Sequence, residues 1–119
     1  EDPTGRRVFR DVSVRPHNIR SDVLRPDTIT ALDIVLSLGE QGKLSTVGLT
    51  WYSFVASADP VDNYFIERID GVQARMGCGY VYEVGPTAFE GFPGSHIHIP
   101  ADVRVLVSPE YAKWFWLCL

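Results

Sequence analysis

The sequence predicts an α+β domain in which one helix packs across a mixed sheet. Three observations carry that reading. Apolar residues alternate with polar ones in several short runs, one amphipathic run of helical period stands among them, and an Asp70-Gly71 turn joins two of the alternating runs. A length of 119 residues fits a single domain over residues 1–119, with residues 1–6 as a flexible start.

Taken in chain order, Val8-Phe9 and Val12-Ser13-Val14 alternate with polar residues, so residues 7–14 read as a first strand. Pro16-His17-Asn18 then gives a turn, and residues 20–24 read as a returning strand. Pro26-Asp27-Thr28 opens a helix over residues 28–38, with Ile29, Leu32, Val35 and Leu36 on one stripe. Thr30 with Asp33 resembles a capping box, and Gly39 is the expected stop. Its β-branched residues make this helix weak in isolation, so packing must hold it.

Residues 47–56 read as a strand, with Leu49, Trp51 and Val55 on one face and Tyr52 and Phe54 on the other, ending at Ala58-Asp59-Pro60. Residues 64–69 and the run from Val72 follow as a hairpin, since Asp-Gly accepts positive φ at both turn positions. Residues 79–84 form a strand, 86–95 a loop, 96–99 and 103–107 short strands, and 111–119 the last strand.

Composition excludes several functions. Eleven Lys and Arg against fifteen Asp and Glu give a net charge of −4, and the basic residues are spread out. Nucleic-acid binding needs clustered cations to displace phosphate counterions, and none is present. No apolar run approaches the roughly 20 residues of a membrane-spanning helix. Glu1 in place of Met is expected from a removed leader or a boundary within a longer chain. Cys78 and Cys118 have two readings: a bridge tying the last strand to the middle of the domain, or two buried thiols. The bridge is favoured, and with it an oxidising, secreted or cell-surface location.

The candidate sites are few. Tyr80 and Tyr82 share a strand face because side chains alternate with period two, and Phe89 and Phe92 on the following loop are placed to close over it. Such rings suit a small-molecule or glycan-like ligand, or simply cover a core. His96 and His98 also share a face and are candidate ligands of a metal ion, with His17 or Asp102 as a third. Catalysis is not expected. Ser95 beside His96 is no triad, Glu67, Asp70 and Glu83 read as a solvated acidic face, and Gly77-x-Gly79 lacks the third glycine of a phosphate cradle.

Thr30-Ala31-Leu32-Asp33-Ile34-Val35, then Tyr64-Phe65-Ile66-Glu67-Arg68-Ile69-Asp70-Gly71-Val72, then Gly77-Cys78-Gly79-Tyr80-Val81-Tyr82-Glu83-Val84-Gly85 occur in an order that resembles the transcobalamin-like C-terminal domain family, the DUF4430 group. The resemblance covers about residues 28–107. It implies a β-grasp fold, a secreted or surface location and, from the cobalamin carriers, a domain that forms one wall of a ligand site. On that resemblance Tyr80 stands where carriers have a ligand-contacting aromatic, and cobalamin is the implied ligand. The pattern departs in having tyrosines where tryptophan is usual, Val84-Gly85 in place of Asn-Gly, and Ala101-Asp102 in place of Gly-Asp; the carriers' helical partner domain is not within these residues. The expected function is therefore a binding or interaction module without catalysis, for a small molecule or a protein partner. A metal-binding module on His96 and His98 and a structural interaction domain are the alternatives.

Overall fold

A computed structural model describes residues 4–55, 59–75, 77–85, 100–106 and 111–118. The chain is α+β: one helix and two small antiparallel sheets. Helix α1 spans Ala31–Glu40. Strands β1 (Val47–Val55), β2 (Asp59–Ile69) and β3 (Val72–Gln73) form one sheet in that order, and β4 (Cys78–Gly85) pairs with β5 (Tyr111–Cys118) in the other. The single mixed sheet expected from the sequence is thus two sheets among the described residues.

Helix α1 starts three residues later than the periodicity predicts, because Asp33 caps it. The Asp33 carboxylate accepts the Thr30 N–H at 2.8 Å and its hydroxyl at 3.2 Å, which fixes Thr30 as the N-cap. Ile29 consequently lies outside the helix, where its carbonyl accepts the Leu106 N–H at 2.9 Å. Gly39 does not stop α1. The stop is Gly42, at φ +72°, whose N–H reaches the Gly39 carbonyl while the Lys43 N–H reaches the Leu38 carbonyl. That pair of bonds is a Schellman closure, and it places the left-handed residue two positions past the last helical one. A Cβ at Gly42 would meet nothing within 4 Å, so the cost of a side chain there is purely conformational. Gly42→Ala is expected to lower stability by about 1 kcal/mol in urea unfolding; an unchanged midpoint would show that Gly42 does not terminate the helix.

One face of α1 supplies Ala31, Leu32, Val35 and Leu38 to the core, where Leu44 from the loop after α1 and Ile66 and Ile69 from the first sheet meet Tyr82 and Val84 from the second. Packing of this kind, not propensity, stabilises a ten-residue helix.

Several expected elements differ. Residues 7–14 join no ladder; they run as a strap, bent at Asp11 where φ is +52°, with Phe9 and Val12 packed on the core. Residues 20–24 are a turn, closed by the Val23 and Leu24 N–H groups on the Arg20 carbonyl. Asp59 and Pro60 begin β2 rather than ending β1. At the β2–β3 turn only Asp70 has positive φ, and its carboxylate accepts from the Ser45 backbone at 2.6 Å, which holds the turn against the loop after α1. Val103 and Arg104 lie in a turn on the Pro100 carbonyl, and Val105 makes one isolated bridge to Thr30, so no strand starts at Val103. Residues 96–99 lie outside the described residues.

Candidate functional site

Cys78 and Cys118 are joined by a disulfide and stand opposite each other in the β4–β5 ladder. From that anchor the antiparallel register sets Tyr80 opposite Trp116 and Tyr82 opposite Trp114. The rings meet as cross-strand pairs, Tyr80 edge-on to Trp116 at 5.2 Å and Tyr82 stacked on Trp114 at 5.0 Å. Tyr82 is only 5% exposed and belongs to the core; burial pushes its phenol up to about 12. Tyr80 is half-buried and donates its hydroxyl to the Val72 carbonyl at 3.0 Å. The tyrosine face is therefore largely used in packing. Phe89, Phe92, His96 and His98 lie outside the described residues.

Open surface occurs next to this row. A depression of about 470 Å³ is lined by Tyr52, Glu67, Ala74, Arg75 and Cys78. Strands β1 and β2 supply its acidic wall, where the Tyr52 hydroxyl donates to Glu67 at 3.1 Å. Burial, followed by that hydrogen bond, raises the Tyr52 phenol above its ordinary value. The opposite wall is the β3–β4 connection, in which Arg75 and Cys78 exchange backbone hydrogen bonds of 2.9 and 2.8 Å. The Arg75 guanidinium lies 5.7 Å from the centre of the Trp116 ring, a cation–π contact. Tyr80 is not among the residues that line the depression. The depression is open to solvent and presents one carboxylate, one guanidinium and one hydroxyl.

The two residues considered as third metal ligands have other partners. Asp102 is fully buried; it accepts Arg20 Nη1 at 2.8 Å, Asn63 Nδ2 at 2.9 Å and the Tyr64 N–H at 2.8 Å. Arg20 also bonds Asp22 at 3.0 and 3.1 Å and lies 5.1 Å from the Trp51 ring. The Asp22 hydrogen bonds raise the Arg20 guanidinium above its ordinary value against its burial, with Asp102 adding to the effect. His17 is held between Asp33 and Glu40 on α1. No group of three or more metal-ligating side chains occurs among the described residues. The expected acidic face is also not uniform: Glu83 is fully buried opposite Lys113, whereas Asp70 pairs with Arg7 and Ser45.

The depression has no local sequence signature, since its residues come from three strands and a connection. What the sequence does offer is the matched spacing of Tyr80-x-Tyr82 and Trp114-x-Trp116, which an antiparallel pairing through Cys78 and Cys118 brings face to face.

The chain matches no family model, no curated protein and no solved structure.

Proposed function

We propose that this chain is a secreted or surface-exposed, β-grasp-like binding module without catalytic activity, which takes a small ligand of cobalamin-like or glycan-like type in the depression beside β4. The observation that carries this reading is the open volume between Tyr52–Glu67 and Arg75, backed by the Trp116 ring. An exposed cation on an aromatic face, with a carboxylate and a fixed hydroxyl in the same depression, offers both donors and acceptors to a polar ligand. For a ligand as large as cobalamin the depression would serve as one wall, in keeping with the resemblance to the carriers' terminal domain. The Cys78–Cys118 bridge supports an oxidising location. The engagement of both His17 ring nitrogens by carboxylates removes that histidine from acid–base work on a substrate, in support of a non-catalytic role.

Native mass spectrometry of the purified protein, followed by tryptophan-fluorescence titration with cyanocobalamin and with an oligosaccharide panel, tests the reading. One class is expected to bind and to perturb Trp116. Arg75→Ala and Glu67→Gln should each weaken binding about tenfold or more, with melting temperatures near that of the wild type. Binding that ignores both substitutions, or no binding to either class, would overturn it.

A further inference from the structure

The segment ahead of α1 has no ladder, yet it is fastened at three points by charge. Arg7 pairs with Asp70 at the β2–β3 turn, Arg15 and His17 meet Glu40 and Asp33 on α1, and Arg20 bonds Asp22 and Asp102. Arginine keeps its proton at every pH a folded protein meets, so the outer two fastenings have cations that do not switch. The middle one adds to such a cation, Arg15, a group that can lose its proton, the His17 ring.

Asp33 Oδ1 lies 2.6 Å from His17 Nδ1, and Glu40 Oε1 lies 2.5 Å from His17 Nε2. The His17 backbone N–H also donates to Asp33 Oδ1, at 3.0 Å. An ionised carboxylate only accepts, and a neutral imidazole has one donor and one acceptor. The neutral ring can therefore satisfy one carboxylate while directing a lone pair at the other. Only the imidazolium donates to both.

We propose that His17 is a pH-operated latch: its protonated ring tightens residues 12–18 on α1, and loss of the proton loosens them. Asp33 and Glu40 face the ring from α1, and Arg15 accompanies it on the strap, sharing Glu40. The remaining strap contacts are uncharged: the Arg15 N–H to Ser37 Oγ at 3.1 Å and Gln41 Nε2 to the Ser13 carbonyl at 2.7 Å. The carboxylate side of the latch is robust in acid. Arg15, then His17, hold the Glu40 carboxyl down at about 2. A carboxyl lowered in the folded state contributes stability above its unfolded value near 4.5, and that contribution is lost only as pH falls toward 2. The cation side depends on the proton for a geometric reason: the second ring N–H is there to donate only while the ring is an imidazolium. Val12 packs on the core from within these residues, with Phe9 and Ile19 on either side of them, so loosening uncovers apolar surface of the core.

Hydrogen exchange followed by mass spectrometry on the intact chain at pH 5.5 and 8.5, corrected for intrinsic exchange, reads the latch. Strap amides are expected to lose protection about tenfold or more at pH 8.5, the effect of losing charge-assisted hydrogen bonds, while those of β2 hold. His17→Asn should leave the strap equally open at both pH values. Imidazole ¹⁵N shifts of the wild-type protein should show both His17 nitrogens protonated at pH 5.5, a reading that needs no variant to fold. A neutral ring at pH 5.5, wild-type strap protection that does not change with pH, or a wild-type pH response retained by His17→Asn would each overturn the latch.

Discussion

Asp102→Ala is expected to destabilise the protein by about 3–5 kcal/mol, the cost of leaving one member of a buried ion pair without its counter-charge. Asp102 is fully enclosed and Arg20 is 6% exposed, so water cannot replace the lost partner. The substitution also strips acceptors from the Asn63 amide and the Tyr64 N–H, both in β2. Asp102 therefore connects the turn at residues 20–24, the turn at 100–103 and the central strand of the first sheet. Asp102→Asn should cost less. It retains an oxygen for the bonds at Oδ2, and Asn63 can turn its amide to accept from the new NH₂, so the loss is mainly of charge. Replacing Arg20 and Asp102 together by leucine should cost less than the sum of the single changes, because no uncompensated charge remains. Urea unfolding of the wild type, these three variants and the Arg20→Leu and Asp102→Leu single variants measures all of this. A loss below about 1 kcal/mol for Asp102→Ala would mean that the Arg20–Asp102 pair does not hold the turns to β2.

Local chemistry made part of this fold legible. Thr30 and Asp33 announced the helix start, Asp70-Gly71 the β2–β3 turn, and alternation the cores of β1, β2, β4 and β5. Where the sequence misled, the cause is non-local. Of the apolar residues in 7–14, Phe9, Val12 and Val14 are half-buried between exposed neighbours, whereas Val8 is exposed. Their alternation records packing on a core rather than pairing in a sheet, and period two cannot distinguish those. Arg20 and Asp102 lie 82 positions apart, so no window of sequence reveals that they form one hub. Gly39 and Gly42 are both plausible stops by composition; the hydrogen bonds of Lys43 and Gly42 decide between them. The tyrosine face was correctly placed on one side of β4, but its covering partners, Trp114 and Trp116, come from the far end of the chain. The depression beside them escaped notice because Tyr52, Glu67 and Arg75 converge only when the β1–β2–β3 sheet is assembled.

Removing the bridge by Cys78→Ser with Cys118→Ser is expected to cost about 3–4 kcal/mol, the chain entropy regained when a loop of 40 residues is no longer closed. For a domain of this size that corresponds to a fall of roughly 10–15 °C in melting temperature. The location of the loss follows from topology. Strands β4 and β5 make a sheet of two strands, which is marginal without support. Tyr82, Val84 and Phe115 anchor its buried part, whereas the Cys78 end is half-buried and Cys118 is exposed. Opening should therefore begin at the bridge and pass through the Tyr80–Trp116 pair before it reaches Tyr82 and Trp114. Hydrogen exchange should show protection lost first at residues 78–80 and 116–118, and tryptophan emission should shift to the red. Because Cys78 lines the depression and Trp116 backs it, ligand affinity should fall with the bridge even at temperatures where the domain stays folded. Mild reduction of the wild-type protein should reproduce each effect. A reduced protein that melts at the oxidised temperature would show that strand packing alone sets the β4–β5 register, and the depression would then owe its shape to Tyr82 and Val84.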